Sequence, residues 1–157
     1  MGAGRNAIHL AALGFEVDAV DISTVAVERG RSSASEAGVA VNFIAADLEH
    51  GLPDGVAANY ALIAIVRYVN LRLVAELAKH LAPGGYLFVE EHLVTQHDVA
   101  GPKSPSHRLR RGELSAALAG LEPVFYREGL VRDPDGRTVS LAQAIATHGG
   151  IAELEYC

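Results

Sequence analysis

Apolar residues Ile8, Leu10, Ala11 and Leu13 recur on a helical period through residues 5–13, which predicts a helix. A glycine turn, Gly2-Ala3-Gly4, opens it and Gly14 breaks it. Phe15 to Val20 then reads as a buried strand that closes on Asp21. Ser23 is placed to cap a second helix over 24–37, with Gly38 as its stop. Val39 to Ala45 is a second apolar strand, followed by Asp47. Gly51 to Gly55 carries the residues of a loop. The continuous run Tyr60 to Val66 has the length and composition of a central parallel strand. Asn70 caps a helix predicted to reach Leu81, with Leu73, Val74, Leu77 and Leu81 on one face. Ala82-Pro83-Gly84-Gly85 ends it, and Tyr86 to Val89 is the next strand. Helices and strands alternating at these lengths specify an α/β fold with a mostly parallel sheet.

The last third of the pattern differs. Residues 95–109 are polar and hold Gly101, Pro102 and Pro105, which predicts a long surface loop of the kind that serves as a lid or binding segment. A short helix is expected over 111–119. Two strand-like runs, 121–131 and 137–146, flank Asp133-Pro134-Asp135-Gly136, a turn that favours an antiparallel hairpin. No internal repeat interrupts this order, and 157 residues fit one domain, 1–157, with a real core.

Composition narrows the classes of function. Half of the residues are hydrophobic and a fifth are charged, as in ordinary globular chains. A net charge of -6 argues against a nucleic-acid partner, because phosphate contacts need clustered Lys and Arg. The basic residues that do cluster are Lys103, Arg108, Arg110 and Arg111. A single cysteine, Cys157, excludes an internal disulfide framework. No apolar run reaches the length of a membrane span and the first residues lack a signal-peptide layout, so a cytoplasmic protein without membrane contact is expected. Glu90, Glu91, His92 and His97 show no recognised ligand spacing, and no metal is expected. No G-x-S-x-G elbow organises the Ser, His and Asp residues for hydrolysis.

The opening motif carries the candidate chemistry. A glycine turn lets the backbone approach a ligand closely, the helix start favours an anion, and an acid about twenty residues on can hold ribose hydroxyls. Gly2-x-Gly4-x-x-Ala7 with Asp21 therefore describes a site for a nucleoside-containing cofactor. Taken alone it fits the NAD fingerprint and the glycine motif of S-adenosylmethionine enzymes alike. The remainder separates them: Asp47-Leu48 after the second strand, the Leu81–Gly85 turn and the terminal hairpin resemble class I S-adenosylmethionine-dependent methyltransferases. A dehydrogenase would also need room for a substrate domain.

The segment GRNAIHLAALGFEVDAVDIS is similar to one shared by the tellurite-resistance methyltransferase family and its small bacterial relatives. Val66 to Asn70, the LAPGG turn, Gly101-Pro102 and Pro105 to Leu109 with Gly112 to Leu114 resemble one branch of those relatives. The resemblance implies a Rossmann-like fold and S-adenosyl-L-methionine as cofactor. It implies that Gly2 and Gly4 approach the methionine part, that Asp21 binds the ribose hydroxyls and that Ile22 packs on the adenine. Asp47 would meet the adenine amine with Leu48 beside it, and Val66 and Arg67 would face the transferring methyl. The acceptor is expected to be a small molecule of oxyanion or thiol type. Arg67, His107 and Arg108, with His92, are the candidate groups to hold it.

Relatives of this kind carry a strand ahead of Gly2, in the middle of the sheet between the strands at 16–20 and 60–66. The first strand is thus expected to be missing from this chain, with Met1 internal to a longer reading frame or the chain a fragment. An exposed central edge would invite a second copy, so a homodimer is an option. The alternative to an enzyme is a non-catalytic domain that needs a partner or binds cofactor without turnover.

Overall fold

The computed structural model describes residues 4–53 and 56–149; Gly2, Asp54, Gly55 and Cys157 lie outside the described residues. The chain divides after Val56 into two compact units.

The first unit contains α1 (Arg5–Ala12), β1 (Asp18–Asp21), α2 (Thr24–Glu36) and β2 (Asn42–Ala45). The two strands pair in parallel, with Asp18 opposite Asn42 and Asp21 opposite Ala45. Ser23 caps α2 as its type predicts, its Oγ accepting the Ala26 N–H at 3.2 Å. Both strands are shorter than their apolar runs, and the reason lies in the helices before them. The Phe15 N–H bonds the Leu10 carbonyl and the Val39 N–H bonds the Ala34 carbonyl. The first residues of each run therefore finish a helix instead of entering a ladder, and Phe15 is left 47% exposed. The core of this unit is small: Ala7, Ala19, Val27, Ala34 and Phe43. Gly30 of α2 lies against the Phe43 ring so closely that an added Cβ would stand 2.5 Å from Cε1.

The second unit holds β3 (Tyr60–Val66), α3 (Leu71–Leu77), β4 (Leu81–His92), α4 (Glu113–Ala117), β5 (Glu122–Arg132) and β6 (Thr138–Thr147). Its sheet has the order β3-β4-β6-β5. β3 and β4 are parallel, and β6 is antiparallel to both β4 and β5. The hairpin turns at Asp133 to Gly136, closed by the Gly136 N–H on the Asp133 carbonyl at 2.8 Å. The helix expected to reach Leu81 is α up to Leu77 and tightens into a 3-10 turn over Ala78–His80. β4 extends past its apolar run to His92, because β6 supplies Gln143, Ala142 and Leu141 opposite Glu90, Glu91 and His92.

Alternate residues of β4, Leu87, Val89 and Glu91, and Leu93 just past its end, point inward and are at most 1% exposed. They join Val74, Leu109, Leu114, Ala142 and Ala144 in the larger core, apart from Glu91, which enters it as an acid. Among the described residues β1 and β3 each carry a ladder on one side only, within their own sheets. No helix of the described residues is long and apolar enough to cross a membrane.

Candidate active site

The carboxyl ends of parallel strands are where α/β sheets place ligands. In the first unit both such ends carry acids. Asp21 is the last residue of β1, opposite Ala45, and Asp47 follows Ala45 by two positions. Asp21 Oδ1 accepts the Ser23 N–H at 2.9 Å, which orients the half-buried carboxylate. Beside it Ile22 is 67% exposed, a bare apolar surface next to an acid. Asp47 caps the short 3-10 turn Leu48–His50, with Oδ1 on the Glu49 N–H at 2.9 Å and Oδ2 3.1 Å from His50 Nδ1. Leu48 is half-buried. Gly4 opens α1 at φ 76°, where a side chain is strained, and an added Cβ would lie 2.9 Å from the Phe43 ring. A backbone without side chain, two acids and an exposed isoleucine are the groups an adenosine-bearing cofactor requires, so these residues fit it.

In the second unit β3 ends at half-buried Val66 and the chain turns at Arg67 with φ 57°. This is the left-handed region, rare for any residue but Gly, Asn or Asp. The Arg67 N–H donates to the Glu90 carbonyl at 2.6 Å. Its guanidinium donates from Nε to Glu90 Oε1 at 3.0 Å and from both terminal nitrogens to the Asp133 carboxylate at 2.9 and 2.6 Å. This fork raises the Arg67 pKa and holds Asp133 below the usual carboxylate range. Glu90 Oε2 also accepts from Gln143 Nε2 at 2.7 Å. One cation shared by two carboxylates leaves the cluster net negative.

Glu91, on the other face of β4, accepts the Tyr68 N–H at 3.0 Å with Oε1, while its buried Oε2 has no partner among the described residues. Burial pushes its pKa up to about 7, against the opposing effect of the Tyr68 bond. His92 is buried too, with no partner for Nδ1 among the described residues, and its ring lies where a side chain on Gly101 would collide with it. Burial lowers the His92 pKa, with Arg67 and Arg108 adding to the effect. His92 is therefore neutral at pH 7 and offers no positive charge to an anion.

His107 ends the exposed 3-10 turn Pro105–His107, its Nδ1 3.4 Å from Ser106 Oγ. Arg108 donates to the Leu93 carbonyl at 2.9 Å and the Pro102 carbonyl at 2.8 Å, closing the polar loop on itself. Among the described residues no acid pairs with it. With His97 and Lys103 it lines a hollow of about 170 Å³ in that loop. No cluster of metal-ligating side chains occurs among the described residues.

The fold thus brings Arg67 and Arg108 to the surroundings of one buried histidine, and leaves His107 on the surface. Glu91 and Asp133 escape sequence reasoning as site residues. The signal for Glu91 is present in YLFVEEHL: period-two alternation from Leu87 and Val89 carries the second acid inward. Nothing local points from Asp133 to Arg67.

Residues 1–85 match the family described as a methyltransferase domain. No curated protein sequence matches the chain. Among solved structures it is similar to TehB from Haemophilus influenzae, with TM-score 0.75 and 21% identity over 94% of this chain and 55% of that one. A SAM-dependent methyltransferase from Methanosarcina mazei gives 0.75 and 17%, covering 94% and 89%. A TehB-like SAM-dependent methyltransferase from Corynebacterium glutamicum gives 0.62 and 16%, covering 94% and 76%. The chain thus spans little more than half the length of the Haemophilus protein. With acids on the ends of paired parallel strands, a mixed sheet closed by an antiparallel hairpin and a match over more than half its length, this chain belongs to the class I S-adenosylmethionine-dependent methyltransferase domains.

Proposed function

We propose that this chain transfers the methyl group of S-adenosylmethionine to a small acceptor of oxyanion or thiol type. The observation that carries the reading is the pair Asp21 and Asp47 at the carboxyl ends of register-paired strands, with exposed Ile22 adjoining Asp21. Asp21 takes the ribose hydroxyls, Ile22 and Leu48 the adenine faces, and Asp47 the adenine amine. Gly4, with Gly2 outside the described residues, gives the methionine part its backbone approach. Val66 and Arg67 are assigned to the methyl side.

When bound, the cofactor supplies an electrophilic methyl on a sulfonium, and the chain supplies alignment and exclusion of water. An anionic acceptor needs a positive group that is not already neutralised. Arg67 is shared between Glu90 and Asp133 and meets that need poorly. Arg108 meets it better, since carbonyls hold its guanidinium in place and no acid among the described residues pairs with it. His107, exposed beside it, is the remaining candidate on the acceptor side.

Calorimetry with S-adenosylhomocysteine tests the reading: the wild type binds it and Asp21→Ala binds it at least tenfold more weakly, as loss of a charged hydrogen-bonding group implies. A folded chain that binds none supports the non-catalytic alternative, and one that binds NAD instead refutes the cofactor assignment.

A further inference from the structure

Neither the cofactor roles nor the acceptor reading uses Glu91. It is 1% exposed, one oxygen holds the Tyr68 N–H, and the other is buried with no hydrogen-bond partner among the described residues. An orphaned buried polar group is costly and calls for a reason. The donor supplies one. Tyr68 follows Arg67, whose left-handed φ of 57° is strained for an L-residue. That turn is fastened twice to β4: the Arg67 N–H to the Glu90 carbonyl, and the next N–H to the Glu91 carboxylate. Two successive amides at the exit of β3 are thus held by two successive residues of β4.

We propose that Glu91 is a positioning residue of the methyl-transfer site: its carboxylate fixes the left-handed exit of β3, and with it Val66 and Arg67, and uptake of a proton releases that exit. The proposal rests on the reading that Val66 and Arg67 face the methyl group. An ionised carboxylate accepts an N–H far more strongly than a neutral carboxyl, and protonation adds an O–H for which the described residues offer no acceptor. The charged groups bearing on Glu91 are Glu90 and Arg67. From β6 it meets Ala142, and the core on that face, including Leu109 and Leu114, is apolar. Beyond Ala142, Glu128 of β5 is occupied by Tyr126, Gly112 and Arg111. His92, next in the chain, has its pKa lowered by burial and by Arg67 and Arg108. Burial is the dominant influence and puts the change near pH 7.

The test follows the Tyr68 amide resonance of the full chain from pH 5.5 to 8.5, with S-adenosylhomocysteine affinity measured by calorimetry at pH 6 and pH 8. The Tyr68 resonance should titrate with a midpoint near 7. If only the ionised form binds, the competent fraction falls from about 0.9 at pH 8 to about 0.1 at pH 6, and Kd rises about tenfold. Glu91→Gln keeps an oxygen for the Tyr68 N–H but cannot titrate, so both pH dependences should vanish in it. The wild-type series reads the same group without any variant having to fold. A Tyr68 resonance that stays fixed in the wild type, or still moves in Glu91→Gln, overturns the proposal. Titration of Tyr68 with equal affinity at both pH values overturns the positioning role while the cofactor reading stands. Titration with no S-adenosylhomocysteine binding at either pH refutes the cofactor reading and the proposal with it.

Discussion

Replacing Glu91 with Gln should change how stability depends on pH, and the structure sets both sign and size. The native carboxyl is raised from 4.5 to about 7, chiefly by burial. Between those values the folded chain holds a proton that the unfolded chain has released. Glu91 therefore contributes stability that is fully present below pH 4.5 and lost as pH rises through 7. At about 1.4 kcal/mol per pH unit the loss is about 3 kcal/mol. Glu91→Gln has the same shape and no titration, so wild-type stability minus variant stability should fall by about that much from pH 4.5 to 8. His92 moves the other way, since its lowered pKa removes stability as pH falls below 6.5. That contribution is present in both proteins and cancels in the difference. Asp133, held low by Arg67, titrates below 3.8 and stays outside the window. Urea unfolding read by tyrosine fluorescence is the assay, because Tyr60, Tyr68, Tyr86 and Tyr126 lie in the described part of the second unit. A difference that is flat, or that grows with pH, refutes the argument that burial governs this carboxyl.

Three further outcomes are expected. Arg67→Ala should lower stability by about 1–2 kcal/mol through loss of the pairs to Glu90 and Asp133, and urea unfolding should show Arg67→Gly recovering about 1 kcal/mol of it, because glycine accepts a positive φ. In turnover assays Arg67→Ala should reduce kcat far more than cofactor affinity; equal losses reject a role on the methyl side. Gly30→Ala should destabilise the first unit by about 1–3 kcal/mol despite the better helix former, since the new Cβ meets the Phe43 ring; thermal unfolding by circular dichroism measures it, and a stabilised variant contradicts the packing.

The sequence alone reached the order of elements, the class of fold and the acids at strand ends. Periodicity is a local property, and where burial follows it directly the reading is close: the predicted strand Tyr60 to Val66 coincides with β3. The Ser23 and Asn70 caps are equally local, each accepting an N–H three residues on. Strand starts in the first unit were less legible, since Phe15 and Val39 are claimed by helix ends through bonds that an apolar run does not encode.

What tertiary structure alone decided is which charges are available. In the sequence Arg67 is a lone cation after an apolar strand, and only the fold brings Asp133, sixty-six residues on, to its guanidinium. Adjacent acids Glu90 and Glu91 look interchangeable in the chain, yet strand alternation sends one to an arginine and the other into an apolar core. Residue type and spacing state which groups can ionise. Burial and partners distant in sequence determine which of them do, because the work of removing a charge from water depends on everything that replaces the water.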